Sequence, residues 1–378
     1  MNSLLKHRTI SRQLTTEIIA GKYSKTGRLP SEAQLVTRFS VSRPTVGRAM
    51  RELHEQGLIE RRAGSGTYIR KDKDRSHSEH STFPQIGLIM PSLCHTEIFE
   101  PLCGELASLC RSNDYGLWWG ANMSTTVETH MTVTEAEALC GQFIERGVTG
   151  VFFVSFEHQT DRETTNQRIT ERLKQAGIPV VLLDRDIGVF PSRSDFDIVG
   201  VDNVAGGYLL ADHLIKLGVR RMVYLKRPLT APTVDSRIIG VQKAIIDNGL
   251  QTPQPFVYSG DPTDVKFVKS FAQNQKIDAI LCTNDHLAAE LLQTLTRIGI
   301  RVPKDVRLVG FDNVRFASLL SIPLTTVEQP VRDIAITAFS ALRERMTNST
   351  LPPRTLILTP RLVVRESCGA YLNQNRVK

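Results

Sequence analysis

LPSEAQLVTRFSVSRPTVGRAMRELHEQGLIERRAGSGTYIRK, residues 29–71, decides the fold of the first part of the chain. Ser31 precedes Ala33, Leu35, Val36 and Phe39, which predicts a capped helix of about two turns. Ser40 and Val41 make a short turn, and Ser42 stands at an N-cap position. Pro44 falls in the first turn of the next helix, where a missing N–H costs little. At ~3.6 residues per turn, Val46, Ala49, Met50, Leu53 and Gly57 share one face, and Thr45, Arg48, Arg51, Glu52 and Glu55 the other. On that second face the cations come first and the acids last. A helix that enters a DNA major groove by its N-terminal end needs this asymmetry, because its far end stays clear of the phosphates. After Gly57, residues 58–61 and 67–70 read as two strands around a glycine-rich turn at 62–66.

The charge of the chain agrees with this reading. Its net +8 is confined to residues 1–72, which hold 14 Lys and Arg against 6 Asp and Glu, while the other residues hold 33 of each. A basic head on a neutral body points to a polyanion at the head. The bland alternative is a surface three-helix module with a hairpin and no ligand, and it leaves the confined charge unexplained.

The pattern LPSE…L…F-x-V-S-R-P-T-V-x-R-A-M-x-x-L…G-L-I…G-x-G-T-Y-I resembles the winged helix-turn-helix of GntR-family regulators over residues 3–71. The resemblance implies that Arg43, Thr45 and Arg48 reach bases or phosphates from the recognition helix, and that Gly64 and Gly66 shape the wing. With Ser42 and Pro44 at the helix start, these form the candidate DNA-contacting set. The chain departs from many relatives at Ala33-Gln34 and Ser65, where basic residues are common.

Residues 72–83 are polar and poor in large aliphatic side chains, as a linker between separate folding units would be. His77 and His80 lie there without the Cys or carboxylate partners of a metal site, and no metal or cofactor is expected.

Beyond the linker, short apolar runs recur at 86–90, 115–119, 150–154, 179–183, 198–202, 221–225, 279–282 and 306–311. The spacing leaves room for crossover helices and predicts parallel sheets covered on both faces. In such sheets ligands sit beyond the carboxyl ends of the strands. The residues found there are polar: Asp184-Arg185, Asp202-Asn203, Thr283-Asn284-Asp285, Asp312-Asn313, Arg237 after a loop, and later Gln329. Carboxylates, amides and guanidinium forks satisfy neighbouring hydroxyls of a small polyol pairwise. Phe99, Trp118, Trp119, Phe156 and Phe316 are candidates for an apolar contact to its face. The plainer role for Asn284, Asp312 and especially Asp202 is to cap the following helices.

IPVVLLDRD, VGVDNVAGGYLLADHLIKLGVRRMVYL, DSRIIG, CTNDHLAAELL, GIRVPKDVRLVGFDN and PLTTVEQP resemble the LacI-type effector domain over residues 84–370. That resemblance implies an α/β fold: a two-lobed periplasmic-binding-protein-like (type I) effector domain of parallel sheets behind the N-terminal winged helix-turn-helix. It implies an N-lobe of about 84–187 and 328–347, a C-lobe of about 188–327 and 348–370, and a tail at 371–378. Crossings between lobes are expected near 185–198, 312–330 and 346–355. The cleft residues it implies are Asp184, Arg185, Arg237, Asn284, Asp312 and Gln329, with Phe99 on the first loop, in a pattern closer to pentose-binding than to purine-binding relatives. Two departures stand out: Val219 replaces a usual His, and the short DNA-contacting hinge helix of LacI proteins is missing.

The expectation is a cytoplasmic, homodimeric repressor of carbohydrate-use genes that binds operator double-stranded DNA and responds to a monosaccharide or derivative. A nucleobase or sugar-phosphate effector is the alternative, and a sugar-active enzyme with a DNA-binding head a more distant one. No signal peptide is legible, and no apolar run approaches the ~18 residues of a membrane span. The six cysteines form no C-x-x-C pair and read as free thiols. Phosphate-loop, zinc-protease, nucleophile-elbow and dinucleotide motifs are absent from the sequence.

Overall fold

A computed structural model describes residues 3–19, 22–23, 27–55, 58–62, 66–69, 83–90, 98–120, 131–157, 161–188, 191–273 and 277–372. The chain divides into two compact units, Met1–Thr82 and Phe83–Lys378.

The head holds α1 (Ser3–Ile19), α2 (Glu32–Phe39), α3 (Arg43–Glu55), β1 (Ile59–Arg62) and β2 (Gly66–Ile69). Ser31 caps α2 through a capping box: its hydroxyl accepts from Gln34 N–H, and the Gln34 side chain accepts from Ser31 N–H at 2.8 Å. The turn to α3 is made by Ser40 in a left-handed conformation (φ 51°). Val46, Ala49, Met50 and Leu53 bury the predicted face of α3 against Leu35 of α2, Ile10 and Leu14 of α1, and Ile59. α1 is fixed further by Glu17, whose carboxylate pairs with Arg38 of α2 and is held at a pKa of about 2, chiefly by that contact. β1 and β2 form an antiparallel hairpin, and Arg28 adds a bridge to Tyr68. Gly57 and the wing residue Gly64 lie outside the described residues, as do nearly all of the linker and most of the tail.

The body contains two parallel sheets. The first has the order β13–β7–β6–β5–β3–β4, built from β3 (Gln85–Ile89), β4 (Gly116–Trp119), β5 (Gly150–Phe153), β6 (Val180–Leu183), β7 (Asp197–Val201) and β13 (Thr355–Leu358). One face is covered by α4 (Phe99–Ser112) and α11 (Val331–Thr347), the other by α5 (Val133–Arg146) and α6 (Arg162–Gln175). The second sheet has the order β11–β10–β8–β9, from β8 (Met222–Lys226), β9 (Val257–Ser259), β10 (Ala279–Cys282) and β11 (Arg307–Val309). α7 (Asn203–Lys216) and α8 (Pro232–Asp247) cover one side, α9 (Val265–Ala272) and α10 (Asp285–Arg297) the other. A short antiparallel pair, β12 (Thr326–Glu328) with β14 (Arg361–Val363), joins the second lobe through the bridges Val309↔Thr325 and Asp312↔Glu328.

All eight apolar runs became strands, but the lobe boundaries require correction. Residues 197–201 and 355–358, expected in the C-lobe, pair parallel to one another and complete the first sheet. A buried carboxylate holds them there. Asp197 accepts from Arg345 Nη2 at 2.7 Å and from Arg354 Nη2 at 2.8 Å, and its pKa falls to about 2 as those bonds outweigh burial. The chain therefore passes between lobes at residues 202, 329–330 and 359–360, not near 185–198 or 346–355. Among the described residues no helix is long and apolar enough to cross a membrane, and no cluster of metal-ligating side chains occurs.

Candidate functional site

Two sets of candidate side chains stand out, one in each unit. In the head, Arg43, Arg48 and Arg51 are exposed along α3, while Ser42 and Pro44 are exposed at its start. Thr45 departs from expectation. It is only 8% exposed, and its hydroxyl pairs with Ser42 Oγ at 2.9 Å. The ~3.6-residue repeat places Thr45 on the outer face, but the first turn tucks against the helix start, so its side chain closes that turn. Gly66 adopts φ 119°, and a Cβ there would lie 2.9 Å from the Arg28 side chain, so its role within the unit is conformational.

In the body, Asp184, Arg185, Arg237, Asp312 and Gln329 converge. Asp184 and Arg185 follow β6, with Asp184 in a left-handed conformation (φ 69°) fixed by its N–H bond to Val199 O at 2.8 Å. Arg185 donates through Nε and Nη2 to Ser155 O at 3.0 and 2.9 Å, and its Nη1 lies 3.1 Å from Asp184 Oδ2. From the second lobe, Arg237 donates Nε to Asn203 Oδ1 at 2.7 Å and Nη1 to Thr283 O at 2.6 Å, and stacks 3.7 Å from the Phe311 ring. Glycines bring α8 close enough for this: a Cβ at Gly207 would sit 2.0 Å from Arg237 O, and one at Gly240 2.0 Å from Val204 O. Asp312 adopts φ 111° and its Oδ1 accepts from Gln329 Nε2 at 2.7 Å. Such φ values are costly for non-glycine residues and persist where surrounding structure over-determines them.

The electrostatics follow from this enclosure. Burial pushes the Asp312 carboxyl up to about 7, with Asp184 and Glu157 adding to the rise while Arg237 and Gln329 oppose it. Asp184 is also raised, again chiefly by burial and against the pull of Arg185 and Arg237. Its side chain is 9% exposed, and Oδ1 has no hydrogen-bond partner among the described residues. Beneath the Asp312 loop, Asp285 accepts from Thr326 Oγ1 at 2.6 Å and from Val314 N–H at 3.0 Å, which fixes the loop's path.

The remaining candidates fare differently. Asn284 caps α10, its Oδ1 accepting from Leu287 N–H at 2.9 Å, and Asp202 caps α7 through Ala205 N–H at 2.8 Å. Phe99 is 1% exposed and belongs to the first-lobe core, with its ring 5.7 Å from the Arg185 guanidinium; it forms a wall behind Arg185 rather than an open stacking face. Trp118 is stacked by Arg146 at 3.8 Å, Trp119 packs on the opposite core, and Phe156 is buried. Phe316 is half-buried and meets His286 edge-on. Sequence reasoning missed Glu157 and did not select Asn203. Glu157 lies 3.3 Å from Arg185 Nη1. Asn203 orients Arg237 and was legible only as the residue beside the Asp202 cap.

A buried cluster of paired charges contributed by two α/β lobes, carried with a helix-turn-helix, is the arrangement of a DNA-binding regulator with a small-molecule domain. Residues 6–69 match the bacterial regulatory proteins of the gntR family, and residues 211–368 match the periplasmic binding protein-like domain. The chain is a DNA-binding transcriptional regulator whose head matches the gntR family of regulatory proteins and whose body is periplasmic-binding-protein-like. It is 26% identical to the arabinose metabolism transcriptional repressor of Geobacillus stearothermophilus, across 97% of this chain and 98% of that one. It is 31% identical over 195 residues to the HTH-type transcriptional repressor PurR of Shigella sonnei, covering 50% of this chain and 56% of the relative. In structure it is similar to the transcriptional regulator CelR in complex with cellobiose, with a TM-score of 0.63 and 23% identity over 86% of this chain and 91% of that chain.

Proposed function

We propose that the chain is a cytoplasmic repressor of carbohydrate-use genes whose grip on operator DNA is set by an uncharged, hydroxyl-rich effector, a pentose-like sugar. The observation that carries this reading is the buried Asp184 Oδ1, left without a donor among the described residues inside a cluster of Asp184, Glu157, Asp312, Arg185 and Arg237. A buried acceptor without a donor costs ~1–3 kcal/mol, and a sugar hydroxyl supplies the missing hydrogen. Three carboxylates against two guanidiniums, both already bonded, oppose a phosphate. The full-length likeness to an arabinose repressor supports a sugar over a nucleobase.

Ligand held by both lobes favours their closed arrangement. Two copies would present two heads to two half-sites, with Arg43 and Arg48 of each α3 on the duplex, as sequence reasoning expects. Regulation then resides in the difference in operator affinity between the two lobe arrangements. The site offers binding groups rather than a reacting constellation, which supports a sensor over an enzyme.

A thermal-shift series with arabinose, ribose, cellobiose, ribose 5-phosphate and guanine tests the reading. A neutral sugar at 100 times its dissociation constant adds ~2.7 kcal/mol of stability, and the same sugar lowers affinity for duplexes selected by the protein from a random pool. Stabilisation by the phosphate or the base alone would refute it.

A further inference from the structure

We propose that Glu157 is the positioning residue that links the cleft to the second lobe, holding Arg185 with one carboxylate oxygen and the start of α8 with the other. The inference rests on reading the cleft as an effector site, and extends it to how occupancy is felt between lobes.

The loop after β5 is rigid where Glu157 leaves it. Phe156 N–H donates to Asn166 Oδ1 at 2.7 Å, and Asn166 Nδ2 returns a bond to Phe156 O at 3.3 Å, so α6 clamps the backbone on both sides. Ser155 O takes two bonds from Arg185. From this base Glu157 Oε1 lies 3.3 Å from Arg185 Nη1, and Oε2 accepts from Ala231 N–H at 3.1 Å. Ala231 is the N-cap residue of α8, the helix that carries Arg237 into the cleft. Glu157 thus touches a cleft guanidinium of one lobe and the first turn of the helix bearing the other. Its charge also bears on Asp184 and Asp312, raising both.

A second tie serves as an internal control. Arg162, at the start of α6, donates Nη1 to Leu229 O at 3.0 Å and to Thr230 O at 3.2 Å. It binds the same loop of the second lobe, where Leu229 sits at φ 57°, and among the described residues its hydrogen bonds go to that loop and none to the cleft charges. Arg162 is a clasp alone; Glu157 is a clasp wired to the site. When ligand hydroxyls engage Asp184 and Arg185, the sharing of Arg185 Nη1 between Asp184 and Glu157 shifts, and with it the hold on Ala231.

Hydrogen exchange of the full-length chain without ligand, followed by mass spectrometry over residues 228–236, tests this. Glu157→Ala should speed exchange there about tenfold, the weight of one charge-assisted hydrogen bond. Glu157→Gln, which keeps an acceptor for Ala231 N–H, should stay near the unaltered rate. The deciding step is a cycle: Arg185→Met, or Arg185→Lys if the first does not fold, should speed exchange at 228–236 in the Glu157 chain and add nothing to Glu157→Ala. Arg162→Ala should add its effect in either background. Equal action of the Arg185 change with and without Glu157, or an unchanged segment in Glu157→Ala, overturns the proposal. A further arm adds arabinose, which should slow exchange at both 183–187 and 228–236 normally, but only at 183–187 in Glu157→Ala. If no sugar acts on the unaltered chain, the effector reading fails, and the ligand-free cycle still decides the role of Glu157.

Discussion

Arg43, Arg48 and Arg51 stand exposed along α3 with no ion-pair partner among the described residues, whereas Arg185 and Arg237 are buried and bonded to carbonyls, an amide and carboxylates. The same guanidinium is used in two opposite ways. On α3 it is a solvated charge, as the proposed phosphate contacts require, and affinity gained through it would fall as salt rises. In the body its desolvation is offset by fixed protein partners, so for the proposed ligand little reorganisation would remain. A head must tolerate many duplexes while searching for one, and a sensor must reject most small molecules it meets.

Four measurements break or sharpen that contrast. The largest effect belongs to a buried cluster outside the cleft. Asp197→Asn removes the buried charge that Arg345 and Arg354 share, and should cost ~3–5 kcal/mol in chemical denaturation. Asp197 has a folded pKa of about 2, below its ordinary value. Its contribution is therefore complete above about pH 4 and drains away as pH falls toward about 2. If it costs nothing, burial is not what distinguishes the body's arginines. Arg237→Met should cost ~2–4 kcal/mol and abolish the calorimetric signal of the sugar, while operator binding by the head survives.

Arg43→Ala and Arg48→Ala should leave unfolding within ~0.5 kcal/mol yet weaken operator binding by ~1–3 kcal/mol, or lower the salt slope by about one if the contact is to phosphate. Unchanged binding for both would remove α3 from the DNA. The smallest effect is expected at Asp312, whose folded pKa of about 7 exceeds its ordinary value. The folded chain keeps a proton that the unfolded chain sheds, so this group's contribution to ligand-free stability falls as pH rises from about 4 to about 7. Asp312→Asn should remove that fall and raise stability at pH 8, at the expense of sugar binding.

What could be read from sequence follows the range of the interactions. Val46, Ala49, Met50 and Leu53 announce a buried helical face because their neighbours along the helix fix it. The central strands announce themselves because a strand covered on both faces is apolar throughout. β13 was not legible, since Thr355–Leu358 alternates exposed and half-buried residues as an edge strand does. Its partner β7 was legible as a strand but went to the wrong lobe, because sheet membership depends on Asp197 meeting Arg345 and Arg354 from far along the chain. Asp184, Arg185, Arg237, Asp312 and Gln329 were found as polar residues at strand ends and crossings. Thr45 was misplaced by a helical repeat that ignores the closing of a first turn. Glu157 left no trace, because its partner Ala231 arrives from another lobe, and no local pattern marks a carboxylate that waits for it.

The first sheet has one further consequence, for synthesis. Its margin, β13, and the helix α11 that roofs one side of it come from residues 331–358, long after the DNA-facing helices have left the ribosome. Translation thus completes the gripping part early and the sensing part late. A polypeptide cut short before Thr355 keeps the helix-turn-helix whole while the first sheet of its body lacks the edge strand that β7 pairs with.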